Sequence, residues 1–270
     1  MNLHSFLEKD NMTSTLTPST PLQPRKRAIL VGASTGLGAA LAKKLAREGW
    51  TVALLSRRLA VLTDLCASLN ADGATRAIPY EHDVTDYAEV PSLLRKIVAD
   101  LGGLDLFIFN SGINLPPGLE KLNAADDIQM VATNLSGAIT WLAPVGDLMK
   151  EAKHGSIVGI SSVAGDRGRY ANPGYNTSKA GMTTYLEGLR NRLTRHGVHV
   201  LTVKPGFIAT DMLRAGAGPK PFTITPERAA DDIYKAILKR KQTFYTHPIW
   251  KWIMLAIQHV PSVIFRRLSF

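Results

Sequence analysis

Short apolar runs rich in β-branched residues alternate along the chain with longer stretches whose apolar side chains recur at helical spacing. The short runs predict strands at Arg27–Val31, Thr51–Leu55, Thr75–Tyr80, Leu104–Asn110, Ser156–Ser161, Val198–Lys204 and Thr243–Thr246. The longer stretches predict helices at Leu37–Glu48, Arg57–Leu69, Tyr87–Leu101, Ala124–Lys150, Pro173–His196 and Pro226–Arg240. Such strand–helix alternation means a parallel sheet covered by helices on both faces. The expected fold class is therefore α/β, a doubly wound parallel sheet, in one domain over residues 25–248.

The two ends differ from this body. Met1–Pro24 is rich in Ser, Thr and Pro, lacks the apolar core of a signal peptide, and reads as a disordered tail. Residues 249–270 read as an amphipathic extension. Trp250, Trp252, Ile253, Met254, Leu255, Ile257, Val260, Val263, Ile264 and Phe265 make a broad apolar surface, and Lys251, Gln258 and Ser262 fall on one narrow stripe. The stretch falls short of the roughly 20 apolar residues that span a bilayer, and Pro261 should kink or split it. Tryptophans flanked by Lys251, Arg266 and Arg267 suit the headgroup region of an anionic membrane. The same side chains could equally cover a substrate pocket or a subunit interface.

Composition narrows the class. With 270 residues, 45% apolar and 20% charged, the chain is neither collagen-like nor a disordered polyelectrolyte nor a multispan membrane protein. Cys66, the single cysteine, can form neither an internal disulfide nor a thiolate zinc site, which points to a reducing, cytoplasmic compartment. The seven histidines show no ligand spacing, so no metal is expected. The net charge is +10, and seven basic residues without an acidic one lie between Lys235 and Phe270. No nucleic-acid docking module accompanies them, so an anionic surface near the C-terminal end is the expected use of the charge and nucleic acid is not an expected partner.

Two stretches carry candidate chemistry. The first strand runs into Gly32-Ala33-Ser34-Thr35-Gly36-Leu37-Gly38 and then a helix. Glycines there allow positive φ and close backbone approach, and the helix N-terminus offers free N–H donors to a pyrophosphate. A tight turn alone would use the same glycines, but strand before and helix after are the context of a dinucleotide half-site. Ser56-Arg57-Arg58 closes the second strand without the carboxylate that would select a ribose 2′-hydroxyl. Arg57 and Arg58 can instead hold a 2′-phosphate, which points to NADP, unless they merely begin a solvated helix.

Tyr175-Asn176-Thr177-Ser178-Lys179 is the second stretch. An i, i+4 pair shares one helix side, and Asn172-Pro173 looks like a cap followed by the first helical residue, which places Tyr175 in the opening turn. The Lys179 cation and the positive helix end are expected to draw the phenol down toward the range of a general acid/base.

With these, Asn110-Ser111-Gly112, Asn134, Ile160-Ser161-Ser162 and Pro205-Gly206 occur in an order and spacing that resembles the short-chain dehydrogenase/reductase family over about residues 25–246. The resemblance implies a seven-stranded Rossmann sheet in the order 3-2-1-4-5-6-7 and hydride transfer between a nicotinamide and a carbonyl or alcohol. It implies that Tyr175 moves the proton, that Lys179 holds the nicotinamide ribose and lowers the tyrosine pKa, and that Ser162 orients the substrate oxygen. Asn134 is implied to kink its helix and anchor a proton-relay water. Asp83, followed by Val84, resembles the adenine contact and Asn110 the residue beside the adenosine ribose. Pro205, Ile208 and Thr210 resemble the turn that meets the carboxamide and pyrophosphate. Ser111 replaces the usual alanine and Val31 the usual threonine, neither a catalytic group.

The expected function is an NADP(H)-dependent oxidoreductase acting on a hydrophobic ketone or secondary alcohol; a non-catalytic NADP-binding module on the same fold is the alternative. Leu213–Thr225 reads as a lid over the substrate or an inert surface loop. Asp166, Arg167 and Arg169 could touch a polar substrate or simply be solvated. A homodimer or homotetramer through the fourth and fifth helices is the family's habit.

Overall fold

Strand residues that alternate in side-chain direction must find apolar cover on both faces of a parallel sheet, and this chain supplies it with three helices per face. The computed structural model describes residues 25–74, 76–116, 122–214 and 220–268. The tail expected over Met1–Pro24 lies outside the described residues. Seven parallel strands, β1 (Arg27–Val31), β2 (Thr51–Ser56), β3 (Ala77–Glu81), β4 (Leu106–Phe109), β5 (Ser156–Ile160), β6 (His199–Lys204) and β7 (Thr243–Tyr245), form one sheet in the order 3-2-1-4-5-6-7.

One face is covered by α1 (Gly36–Arg47), α2 (Leu59–Leu69) and α8 (Pro226–Leu238), which pack on Ala28, Leu30, Leu54, Ile108 and Leu201. The other is covered by α3 (Val90–Leu101), α5 (Gly137–Ala152) and α6 (Pro173–Leu193), which pack on Ile29, Val31, Leu55, Phe107 and Val200. Ile29 and Leu30 thus serve opposite cores, as a period of two requires. The sheet reverses its winding between β1 and β4, and in open α/β sheets ligands bind beyond the strand ends at such a switch point.

Two expected elements differ. β3 starts at Ala77, because the side chain of Asn70 accepts the N–H groups of Arg76 and Ala77 and holds the chain in a turn up to that point. The long helix expected from Ala124 is α4 (Ala124–Val131) and α5 joined by a π-helical turn over Ala132–Ser136, which widens the coil by one residue around Asn134.

The C-terminal stretch docks on the body. α9 (Ile249–His259) buries Trp250 and Met254 against Val163, then breaks at Val260-Pro261 into the short α10 (Ser262–Phe265), the break Pro261 predicts. The remaining short helix is α7 (Asp211–Arg214). Among the described residues, no helix is long and apolar enough to cross a membrane.

Candidate active site

The ends of β1, β2, β4, β5 and β6 contribute to one cavity of about 420 Å³. After β1, Gly32 and Gly36 take left-handed φ values of 86° and 56°. A Cβ on Gly32 would sit 2.6 Å from Ser111 N, and one on Gly38 would sit 2.0 Å from Gly32 O. Side chains at these positions are therefore excluded by backbone, for which no rotamer change compensates. Asn110, after β4, donates from Nδ2 to Gly32 O at 2.7 Å and so braces the loop. The first turn of α1 has no side-chain cap, which leaves its N–H donors facing the cavity end of the loop. An uncapped helix start behind a glycine cradle fits a dinucleotide pyrophosphate.

The two arginines after β2 part company. Arg58 folds over the loop, donates from Nη2 to Ser34 Oγ (2.7 Å) and Thr35 Oγ1 (2.8 Å), and lines the cavity. Arg57 turns away, pairs with Asp83 at 3.5 Å, and stays exposed outside the cavity lining. Of the two arginines expected to hold a 2′-phosphate, Arg58 lines the cavity and Arg57 lies outside it. A ribose phosphate at this end would meet Arg58, because consecutive residues at a strand end project in different directions. Asp83, Val84 and Gly38 also lie outside the lining; Asp83 is occupied by Thr85 and Arg57.

At the other end of the cavity, Asn172 caps α6 by accepting the Tyr175 N–H at 3.2 Å, with Pro173 as the first helical residue, so Tyr175 does stand in the opening turn. Ser162, just beyond β5, hydrogen-bonds the Tyr175 phenol and accepts the Ala164 N–H at 3.0 Å. Its neighbour Ser161 points the other way, donating to Lys179 O (2.9 Å) and sharing a 2.7 Å bond with Thr183. Lys179, one helical turn after Tyr175, is 4% exposed and donates from Nζ to Ile160 O at 2.9 Å.

Asn134 lies behind the cavity wall and is fully buried. Its amide clamps the Ile113 peptide through both its oxygen (2.7 Å) and its nitrogen (2.9 Å), and Nδ2 also reaches Ser178 Oγ at 3.0 Å. Ser178 in turn donates to Tyr175 O at 2.8 Å, so the π-turn is tied to the Tyr–Lys helix through a serine that the sequence did not single out. A buried hydroxyl between the two residues of a Tyr-x-x-x-Lys pair was the available signal.

The electrostatics reverse one expectation. Burial raises the Tyr175 phenol above its ordinary value, outweighing the Ser162 hydrogen bond and the Arg169 charge, which both favour phenolate. The Lys179 ammonium lies 5.8 Å from the Tyr175 ring centre, and burial lowers its own pKa to about 8, so it remains mostly cationic at neutral pH. The phenol is therefore protonated at neutral pH and ready to give a proton. A second cation beside it is Arg169, in the cavity wall.

Pro205, Ile208 and Thr210 line the cavity after β6, and Ile208 and Ile224 form an isolated bridge that fixes the return of the expected lid. Lid residues 215–219 lie outside the described residues. Gly206 packs directly under Trp250 of α9, whose indole a Cβ would meet at 1.9 Å. Among the described residues no cluster of three or more His, Cys, Asp or Glu side chains could hold a metal ion.

Comparison with known proteins bears on the family and the fold. The sequence profile of the short chain dehydrogenase family matches residues 26–218. An uncharacterised oxidoreductase of Myxococcus xanthus is 36% identical over 214 residues, 79% of this chain and 84% of its own length. The 3-oxoacyl-[acyl-carrier-protein] reductase FabG of Escherichia coli is 33% identical over 190 residues, 70% of this chain and 76% of its own. The crystal structure of a variant actinorhodin polyketide ketoreductase with NADPH superposes with a TM-score of 0.75 at 24% identity, over 84% of this chain and 97% of that one, and shows the shared fold. The chain therefore belongs to the short chain dehydrogenase family and is a nicotinamide-dependent oxidoreductase.

Proposed function

We propose that the protein is an NADP(H)-dependent reductase of hydrophobic ketones, running in reverse on the matching secondary alcohols. The observation that carries the reading is the Ser162–Tyr175–Lys179 group in a cavity whose far end is lined by Arg58 and an uncapped helix start. A bound nicotinamide supplies hydride to the carbonyl carbon, or takes it from the alcohol. The glycine loop with Ser34, Thr35 and Leu37 would hold the pyrophosphate, Arg58 the 2′-phosphate, and Lys179 the nicotinamide ribose. Tyr175 gives its phenolic proton to the carbonyl oxygen, while the Ser162 hydroxyl donates a hydrogen bond to that same oxygen as charge develops on it. Asn134 positions Tyr175 and the strand-end loop. Ile160, Val163, Phe207 and Met212 give the substrate side an apolar wall, which supports a hydrophobic ketone.

The test is oxidation of NADPH against a panel of sterols, long-chain 3-ketones, quinones and small aldehydes. Turnover of an apolar ketone that disappears in Tyr175→Phe is expected. Tight NADPH binding with no turnover of any panel member would instead make the chain a non-catalytic binding module.

A second reading concerns the surface beside the site. α9 packs on the body through Trp250, Ile253, Met254 and Ile257, while Trp252 (64%) and Leu255 (45%) of α9 and Val263 (52%) and Ile264 (53%) of α10 stay exposed, in a stretch that also carries Lys251, Arg266 and Arg267. An apolar face rimmed by cations suits peripheral contact with an anionic membrane on the cytoplasmic side. Full-length protein is expected to sediment with anionic liposomes at low salt and a chain ending at Pro248 to stay free. Equal behaviour of the two would remove this reading, and a truncation that breaks a homodimer or homotetramer in light scattering would make the face a subunit interface.

A further inference from the structure

The loop after Ser162 carries three charged side chains in four positions, and the fold uses each differently. The Asp166 carboxylate is sealed from solvent and taken by Lys204 Nζ and by the Tyr245 hydroxyl at 2.9 Å, which ties the loop to β6 and β7. Arg167 reaches the end of α9, donating to Gln258 O (3.2 Å), Val260 O (2.7 Å) and Ile257 O, with its guanidinium 3.9 Å from the centre of the Phe265 ring. Arg169 is only partly buried. Its Nε is buried without a hydrogen-bond acceptor, and the side chain lines the catalytic cavity.

A buried guanidinium nitrogen without an acceptor is costly, so the fold would be expected to pair it or to leave it in water. Asp166 is within electrostatic reach, yet it is already engaged by Lys204 and Tyr245. Tyr175 is the other group in reach, and it is protonated and turned to Ser162. Burial accordingly holds Arg169 below its usual range. The missing acceptor must arrive with whatever enters the cavity. The same cavity is lined by Ile160, Val163, Phe207 and Met212, so a molecule with an apolar body and one oxygen-bearing anionic group would suit both.

We propose that Arg169 is a specificity-determining residue that binds an oxyanion, a carboxylate or a phosphate, carried by an otherwise apolar substrate. The planar guanidinium fork suits either group in bidentate fashion. The inference rests on the reading of this cavity as the site of carbonyl reduction, and it narrows the ketone to an amphiphilic one.

Calorimetric titration of the protein with octanoate, octyl phosphate and octanol tests it without turnover. At least one of the two anions is expected to bind about tenfold or more tighter than octanol, and which one does so distinguishes carboxylate from phosphate. Arg169→Gln is expected to erase that advantage and Arg169→Lys to keep part of it. In steady state, a methyl ketone is compared with the oxo acid of the same chain length, and the oxo acid's lower KM is expected to rise in Arg169→Gln. Anions that bind wild type no better than octanol overturn the proposal, as does an advantage that survives Arg169→Gln. Should Arg169→Gln not fold, the wild-type comparison and Arg169→Lys still decide. Absence of turnover with every ketone would count against the reductase reading alone, because the titration reports on Arg169 by itself.

Discussion

Removing the Arg58 guanidinium should weaken NADPH far more than NADH, and removing its neighbour should do neither. Arg58 already holds Ser34 and Thr35 at 2.7 and 2.8 Å, so a phosphate at the cavity end would meet a side chain fixed in place. A hydrogen bond to a charged group contributes about 1.5–3 kcal/mol, and solvent exposure at this edge places the contact near the lower figure. That corresponds to a tenfold to thirtyfold rise in the NADPH dissociation constant, at about 1.4 kcal/mol per factor of ten. Arg58→Ala also frees the Ser34–Thr35 loop, which binds either cofactor, so NADH should weaken by roughly threefold, the share of one ordinary hydrogen bond. Arg57, 66% exposed and 3.5 Å from Asp83, makes an ion pair worth about 0–1 kcal/mol, and Arg57→Ala should change either cofactor by less than about fivefold. Fluorescence titration of wild type and both variants with NADPH and NADH needs no substrate. An unchanged NADPH affinity in Arg58→Ala, or a tenfold loss in Arg57→Ala, would refute the assignment.

Other perturbations probe the proton donor, the buried lysine and the C-terminal helix. Tyr175→Phe should lower kcat by about a hundredfold or more, as expected for a missing general acid, with NADPH binding retained in the same titration; near-normal kcat would end the proposed chemistry. Lys179 is protonated up to its usual 10.5 in the unfolded chain but only to about 8 in the fold. The unfolded state therefore binds more protons between these values, stability rises with pH across that window, and the full cost of burying the charge is felt below about 8. Lys179→Met should stabilise the protein by up to about 3 kcal/mol at neutral pH, with the gain fading toward pH 10.5; urea midpoints at both ends check the sign, and no gain at neutral pH would refute it. Gly206→Ala would drive a methyl into the Trp250 indole and should cost about 1–3 kcal/mol in thermal unfolding. Trp250→Phe should cost about 1–3 kcal/mol through the void left by the larger ring, with no hydrogen bond lost from Nε1, and an unchanged thermal midpoint would refute its packing role.

What the sequence determined by itself was everything set by short-range pattern. Strand and helix periods, the Gly32–Gly38 turn, the Asn172-Pro173 cap and the Pro261 break follow from local sterics and from which face of an element must be apolar, and these are properties of a few consecutive residues. Tertiary structure decided what depends on packing between distant segments. Arg57 and Arg58 are equivalent as text, and only the position of Asp83 beyond β3 and of Ser34 beyond β1 separates them. A lysine at i+4 and a helix N-terminus argued for an acidic phenol, but desolvation by the surrounding walls outweighs both, and desolvation is not encoded in spacing. Asp166, Arg167 and Arg169 look alike along the chain. β6, β7 and α9 supply acceptors or donors to the first two and nothing to the third, because long-range packing alone determines which charges are satisfied before a ligand arrives.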